Sequence, residues 1–189
     1  EAISRKIIKN GNISIETKAL NEDSQLAKKL TTQYQGYVQN ESQRSDYSRI
    51  MQELTLRVPA NNYDSLYENL LKIGAEVESR NSSLQDVTTR FYDLKTRIEN
   101  KKKLEERYNA ILKTATKVSD ILEIERMVNN VRIDIENMEG QLRYLQKQIG
   151  YSTINLTLYE LKPANTSASK ESFGERLKNA FGNGWEGLL

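Results

Sequence analysis

The chain contains neither cysteine nor histidine. These absences exclude thiol nucleophiles, disulfide bonds, imidazole catalysis and zinc sites that depend on Cys or His ligands. Proline occurs only twice, and apolar residues make up 37% of the 189 residues, which is low for a compact domain. An elongated shape would account for that composition. With no catalytic motif among the remaining residue types, we expect a protein that is not an enzyme and needs no metal or cofactor.

Charge and hydropathy indicate whether the chain itself is suited to bind nucleic acid or to span a membrane. The 28 basic and 26 acidic residues nearly cancel, so the basic surface of a nucleic-acid-binding protein is not expected. The chain lacks a run of about 18 apolar residues that could span a bilayer. It begins with Glu and ends at Leu188 and Leu189. We expect both ends to continue into a longer protein, where targeting or anchoring signals would lie.

Residues 1–88 and 150–161 predict a small α+β base. Period-two apolar patterns indicate strands, and patterns with a period of 3.6 indicate helices. In chain order they predict a strand at 5–16, a helix at 21–34, strands at 37–43 and 50–58, a helix that Asn61 or Asn62 caps and that ends at Gly74, and strands at 75–84 and 151–160. The first six elements have the order of a ferredoxin-like split βαββαβ antiparallel sheet with both helices on one face. The last strand returns to this sheet.

Residues 89–149 predict an inserted helical hairpin. Two long helical patterns are joined by a short break at 114–120, so the helices are expected to be antiparallel. The second helix carries a heptad seam, which is typical of a coiled coil. The seam consists of Ile121, Ile124, Val128, Val131, Ile135, Met138, Leu142, Leu145 and Ile149. The two helices carry net charges of opposite sign, which favours their pairing with each other.

Three further features of the second helix have open interpretations. Asp120 and Glu123 have the spacing of a capping box. Gly140 lies inside the helix, where glycine costs about 1 kcal/mol relative to alanine, so we expect either a close approach of another element or a tolerated substitution. Leu122, Ile133 and Tyr144 form a second apolar stripe away from the seam. This stripe is a candidate contact for a partner or a second copy.

The end of the chain separates into a linker and an amphipathic segment. Small residues dominate 162–172, and 173–189 carries large apolar residues that are mostly four apart: Phe173, Leu177, Phe181, Trp185 and Leu188. One interpretation is a juxtamembrane segment whose aromatic rings lie at the level of the lipid headgroups. The other is a segment that docks on the open face of the sheet. We favour the juxtamembrane interpretation.

Charged pairs and glycosylation motifs are less informative. Glu123 with Glu125, Glu136 with Glu139, and the run Lys101 to Lys103 are interpreted as solvated helix surface. Five Asn-x-Ser/Thr sequences occur, at Asn12, Asn40, Asn81, Asn155 and Asn165. Such a number is unsurprising in a chain rich in Asn and Ser, and we expect none of them to carry a glycan.

Blocks of residues along positions 5–160 resemble a known family. They are Arg5-Lys6-Ile7-Ile8 with Gly11, Gly36-Tyr37-Val38, Leu54-Thr55-Leu56-Arg57-Val58-Pro59, Asp86-Val87-Thr88 with Tyr92-Asp93-Leu94, Glu139-Gly140-Gln141-Leu142-Arg143-Tyr144-Leu145, Ser152-Thr153-Ile154 and Tyr159-Glu160. In these blocks the chain resembles a bacterial cell-envelope lipoprotein family catalogued as domain of unknown function 4349. The resemblance implies an extracytoplasmic protein with a secretion signal or lipid anchor upstream and a membrane helix downstream. It implies no activity and no site residues.

Together these observations predict a membrane-anchored, extracytoplasmic interaction or scaffold protein at the bacterial cell membrane. Its rigid helical hairpin would be presented to a protein partner, and its contact with the membrane would depend on an anchor outside this sequence. The alternative is an envelope ligand-sensing module that binds a small molecule, a lipid or a cell-wall fragment on its sheet domain. An oligomer is compatible with either function, and no nucleic acid is expected.

Overall fold

The computed structural model describes residues 4–163. In chain order its elements are β1 (Ile7–Glu16), α1 (Leu20–Gln33), β2 (Tyr37–Ser45), β3 (Arg49–Pro59), a 3₁₀ turn (Ala60–Asn62), α2 (Tyr63–Leu70), β4 (Glu76–Asp86), α3 (Thr88–Leu112), α4 (Val118–Gly150) and β5 (Tyr151–Leu161). The predicted α+β class is confirmed. The ends of the elements differ from the predicted ones by only a few residues.

The five strands form one mixed sheet in the order β2-β3-β5-β1-β4. β3 pairs antiparallel with β2 and β5, and β1 pairs antiparallel with β4. β1 and β5 are parallel, so the prediction of an antiparallel sheet is wrong. The predicted ferredoxin-like order is not confirmed either, because β5 lies between β1 and β3. In this central position Ile154, Leu156 and Leu158 of β5 are 0–1% exposed.

Helices α1 and α2 cover one face of the sheet and enclose the main core. The buried side chains of this core are Ile13, Ile15, Leu20, Ala27, Leu54, Leu56, Val58, Tyr63, Leu66, Tyr67, Leu70, Ile73, Ile154, Leu156 and Leu158. Full burial of one such aliphatic side chain stabilises a fold by roughly 1.5–3 kcal/mol. None of these residues belongs to α3 or α4. The base therefore has a core separate from the hairpin.

Glycine is required at position 11 of β1 because two tyrosine rings pack directly against its backbone. β1 pairs with β4 without interruption at Gly11, and its irregularity lies between Ser14 and Ile15. A Cβ on Gly11 would be 2.7 Å from the hydroxyl oxygen of Tyr63 and 2.8 Å from a ring carbon of Tyr67. These two rings stack with their centroids 5.6 Å apart. Any larger residue at this position would displace them from the core.

The chain enters and leaves the sheet at opposite ends. Val87 donates a backbone hydrogen bond to the carbonyl of Lys6 (2.8 Å), so the start of β1 lies beside the start of α3. β5 begins directly after α4 and extends for 11 residues, which is roughly 35 Å. Beyond it, the Lys162 amide donates to the carbonyl of Ser48 (2.8 Å) in the turn between β2 and β3. The chain thus leaves the sheet far from the hairpin.

Candidate functional site

The seam of α4 is buried against α3. Val128, Val131, Ile135, Met138 and Leu145 are buried, whereas Ile121, Ile124, Leu142 and Ile149 are half-buried. Leu94 and Ile98 of α3 form one cluster with Met138 and Leu142. Because these side chains contact each other within the hairpin, they are not available to a partner. Regular coiled-coil packing along the whole seam stays a prediction.

Two ion pairs occupy α3 positions where the spacing would favour apolar residues. The Nζ of Lys101 lies 2.8 Å from a carboxylate oxygen of Asp134. Glu105 accepts two hydrogen bonds from the guanidinium of Arg132, at 3.1 and 3.0 Å. Exposed pairs of this kind contribute little to stability, typically below about 1 kcal/mol. They favour the observed antiparallel register, because a shifted register would separate the opposite charges.

A third interhelical pair lowers the pKa of a carboxyl group. The Nζ of Lys102 lies 2.6 Å from an oxygen of Glu139. This hydrogen bond, with the positive charge of Lys102, holds the pKa of Glu139 below its ordinary value. Arg143, one turn further along α4, contributes a weaker attraction in the same direction. The folded hairpin therefore favours the charged carboxylate form of Glu139 over the protonated form.

The hairpin is attached to the sheet through a small apolar cluster at its root. Ile8, Val87 and Leu145 are buried together, with Phe91 and Ile149 packed against them. The next cluster along the hairpin contains residues of α3 and α4 and none of the sheet. The hairpin thus projects beyond the end of the sheet. At ~1.5 Å per residue, the 33 residues of α4 span about 50 Å.

The face of α4 opposite the seam exposes the second apolar stripe. Leu122 is 51% exposed, Ile133 47% and Tyr144 65%. Successive members are eleven residues apart, which is close to three helical turns, so the three side chains lie in one line along α4. At the tip, Val118 is 71% and Ile111 51% exposed. These five residues are called the outer stripe below.

Two sequence interpretations of α4 are wrong. A Cβ on Gly140 would meet only the end of the Arg143 side chain, at 3.9 Å, among the described residues, so no close approach explains this glycine. The capping box is absent because α4 begins at Val118, with Lys117 as its N-cap and no side-chain cap hydrogen bond. Asp120 instead accepts a hydrogen bond from the neighbouring Ser119 hydroxyl (3.0 Å).

A shallow depression lies beside the root of the hairpin. Its volume is about 460 Å³ and its lining includes Asp86, Arg90, Asp93, Arg97 and Gln141. Two acidic and two basic side chains alternate along one side of it, so their charges largely cancel. A hydrogen bond from the Thr88 side chain holds the pKa of Asp86 below its ordinary value. This mixture of charges defines no single ligand chemistry.

The open face of the sheet carries a polar surface that no single local sequence pattern predicts. One row of side chains across all five strands reads Asn40, Thr55, Asn155, Asn12 and Asn81. The row on one side reads Tyr37, Arg57, Thr153, Asn10 and Ser83, and the row on the other reads Ser42, Glu53, Thr157, Ser14 and Ser79. These three rows are called the polar face below.

Four of the five Asn-x-Ser/Thr sequences belong to the polar face. Asn12, Asn40, Asn81 and Asn155 lie side by side in its central row, and Asn165 lies outside the described residues. On a strand, residues two apart project from the same face. The Ser or Thr of each motif therefore joins its Asn on the polar face. Recurrence of this motif in four predicted strands is the signal that could have revealed the surface.

Hydrogen bonds fix the side chains at the centre of the polar face. The amide nitrogen of Asn155 donates to the side-chain oxygen of Asn12 (3.0 Å), and the Thr55 hydroxyl donates to the side-chain oxygen of Asn155 (3.4 Å). The guanidinium of Arg57 donates to the Thr153 hydroxyl. Three of the five strands are thus linked through their side chains, in addition to the backbone pairing.

Metal binding and membrane spanning can be assessed within the described residues. Within residues 4–163, no group of three or more acidic side chains is placed to hold a metal ion. None of the helices in that range is long and apolar enough to cross a membrane. The expected membrane-interface residues Phe173, Leu177, Phe181, Trp185 and Leu188 lie outside the described residues.

Fold and surfaces together define an α+β protein with a five-stranded mixed sheet, a projecting pair of helices and two exposed faces of different chemistry. Residues 5–189 match the family described as Domain of unknown function (DUF4349), and the chain belongs to that family. The match extends beyond the blocks of residues 5–160 on which the resemblance depends. No curated protein and no solved structure matches the chain.

Proposed function

We propose that the protein is a membrane-anchored, extracytoplasmic interaction protein that presents its helical hairpin to a protein partner. The observation that carries this proposal is the outer stripe. The described residues include twelve exposed large hydrophobic side chains, and six of them lie on α3 or α4. Single exposed apolar residues are common on any surface. A line of them on an otherwise charged helix fits the pattern of anchors by which a helix contacts another protein.

The direction of the chain supports a hairpin that projects away from the membrane. β5 leads from the root of the hairpin to the opposite end of the sheet, where Lys162 contacts Ser48. With the juxtamembrane interpretation of 173–189, we infer that the membrane lies at the end remote from the hairpin. The three rows of the polar face carry no aliphatic side chain, and in the next row of the open face Tyr159 is already buried beside Met51, so the face offers the apolar residues of 173–189 little to pack against. This favours the membrane over the sheet as the binding site of that segment.

Site-specific photo-crosslinking in the native host tests the contact. A benzophenone amino acid at Leu122 or Ile133 should give a discrete crosslinked product with one partner protein. The double variant L122K/I133K should reduce co-purification of that partner by at least about tenfold, because two desolvated apolar contacts are each worth roughly 1–2 kcal/mol.

The matched control is E125Q/E136Q, which changes the net charge of α4 by the same two units because it removes two negative charges from exposed positions. This variant should retain the partner. Equal loss from both double variants would mean that charge, not the outer stripe, governs the interaction. Absence of any crosslinked product from either position would contradict the proposed role of the hairpin.

A further inference from the structure

We propose that the polar face binds a neutral glycan strand, a chain of linked sugar rings that carries hydroxyl or acetamido groups and no charge. This inference concerns the base of the protein and does not depend on the role of the hairpin. It is carried by the alignment of Asn40, Thr55, Asn155, Asn12 and Asn81 across all five strands.

The polar face is depleted of charge. Charged residues make up 29% of the chain, yet Arg57 and Glu53 are the charged members of its three rows, and the Glu78 carboxylate reaches the face from the edge strand β4, where it accepts from the Ser14 hydroxyl at 2.6 Å. Arg57 donates to Thr153, and Glu53 accepts from the Ser42 hydroxyl at 3.2 Å. A phosphorylated or otherwise anionic ligand would find no cluster of cations there. The electrostatics therefore complement an uncharged polar ligand.

Asparagine is an unusual choice for this surface. Asn is disfavoured in strands, whereas Thr, Val and Tyr suit a solvated strand face. Asn12 and Asn155 occupy adjacent inner strands and hydrogen-bond to each other at 3.0 Å. If the face only contacted water, polar residues that favour strands more strongly would be sufficient. The presence of four amides in one row therefore indicates that the amide group itself has a role.

The amide group matches the chemistry of sugars. An Asn side chain offers two donors and an acceptor with two lone pairs, so one residue can both donate to and accept from neighbouring hydroxyls. Within residues 4–163, the amide nitrogen of Asn12 donates to no protein group, while its oxygen is held by Asn155. Its two donors are therefore oriented and available. The same internal bond reduces the entropy that binding must overcome.

The dimensions of the face also suit an extended glycan. Neighbouring strands are about 4.8 Å apart, so the central row is about 19 Å long. Successive rings of an extended hexose chain follow one another at a similar spacing, and each ring would face one Asn or Thr. At the β2 side, the rings of Tyr37 and Tyr151 meet across β3 with centroids 5.9 Å apart. Exposed tyrosine rings can pack on the C–H faces of a sugar.

Other occupants fit the polar face less well. A second copy or the segment 173–189 would bury a surface without aliphatic side chains, and apolar burial supplies most of the free energy of protein association. Glycans attached to all four Asn residues are excluded by the spacing between strands. The glycan strand is the occupant that uses hydrogen bonds in place of apolar contact.

Amide NMR titration of the full 189-residue chain tests the proposal. The neutral probes are cellohexaose and chitohexaose, and an oligogalacturonate of the same length is the anionic probe. At least one neutral hexasaccharide should shift the amide signals of β1, β3 and β5 and saturate at millimolar concentration or below. The anionic probe should bind at least about tenfold more weakly.

Two variants locate the site. N12V/N155V removes the central amides and introduces residues that favour strands, so the fold should be kept and binding weakened by at least about tenfold. Should this variant not fold, N40V/N81V makes the same change on the two edge strands. The control N130A/N137A removes two exposed amides from α4 and should bind as the wild type does.

Three results would overturn the proposal. The first is no saturable shift with either neutral hexasaccharide at millimolar concentration, and the second is unchanged binding by the Asn-to-Val variant that folds. The third is a shift pattern confined to α3 and α4. Loss of partner crosslinking at Leu122 bears only on the hairpin, so failure of either proposal can be recognised separately.

Discussion

Replacing Gly140 by alanine should stabilise the protein. Gly140 lies in the interior of α4, where its missing side chain leaves the unfolded chain more freedom than any other residue would. An added Cβ would meet only the end of Arg143 at 3.9 Å among the described residues, which is an ordinary van der Waals distance. No steric cost therefore opposes the gain in helix propensity. We expect an increase of about 0.5–1 kcal/mol in the free energy of unfolding.

Two measurements should detect this gain. Thermal unfolding should show a Tm higher by about 1–4 °C, from the usual relation between stability and Tm for a domain of this size. Hydrogen exchange should show slower opening of amides around Gly140, because the change acts on local unfolding of the hairpin. The matched control is Gly36→Ala, whose Cβ would lie 2.5 Å from the carbonyl oxygen of Arg57. That variant should lose about 1–3 kcal/mol.

A lower Tm for the Gly140→Ala protein would refute this reasoning. It would mean that another surface approaches Gly140 closely in solution. Gly140 lies on the same face of α4 as Leu122, Ile133 and Tyr144, so that surface would be a second copy of the chain. Light scattering would then show an oligomer that the alanine variant weakens, and the outer stripe would have to be reassigned from a foreign partner to self-association.

Further predictions concern the seam and the effect of pH. Ile135→Ala should lower stability by about 2–4 kcal/mol, whereas Ile133→Ala, at an exposed position, should cost less than about 1 kcal/mol; equal losses in urea unfolding would contradict the assignment of the two faces. The pKa of Glu139 is lowered in the folded state, so its contribution is present above its ordinary pKa of 4.5 and lost as the pH falls through the lower folded value. Glu139→Gln should reduce the decrease in Tm between neutral pH and pH 3, and an unchanged decrease would contradict the Lys102 contact.

Periodicity predicted the elements of this fold but not the position of β5. Its alternating residues Ile154, Leu156 and Leu158 indicate a strand with one buried face, and such a strand fits equally well at an edge or in the centre of a sheet. The choice depends on the competition among all strands for partners. The central position is favoured because both edges of β5 are then paired with other strands, and its apolar side chains are only 0–1% exposed.

Glycine illustrates the same limit at the level of one residue. Gly11 and Gly140 both interrupt a regular pattern, and sequence alone cannot distinguish a glycine required by packing from one that is merely tolerated. At Gly11 the nearest atoms to a Cβ belong to Tyr63 and Tyr67, which are distant in sequence. At Gly140 such atoms are absent among the described residues. Only the tertiary neighbours separate the two cases.

The polar face was missed for a related reason. Each Asn-x-Ser/Thr motif, taken alone, matches the composition of the chain and carries little weight. Their significance depends on the register that places Asn12 beside both Asn155 and Asn81. A shift of one residue in either pairing would send the amides to opposite faces. The surface is therefore a property of the register, which local patterns do not determine.

The two proposals together impose one orientation on the molecule. If the chain leaves the sheet towards a membrane after Lys162, the strands stand roughly upright on that membrane with the hairpin at the far end. The rows of the polar face cross the strands at nearly right angles, because strands pair side by side in register. A glycan strand bound along Asn40, Asn155, Asn12 and Asn81 would then lie parallel to the membrane. The partner of the outer stripe would be reached beyond that glycan layer by the part of α4 from Val118 to Leu145, an arm of about 40 Å.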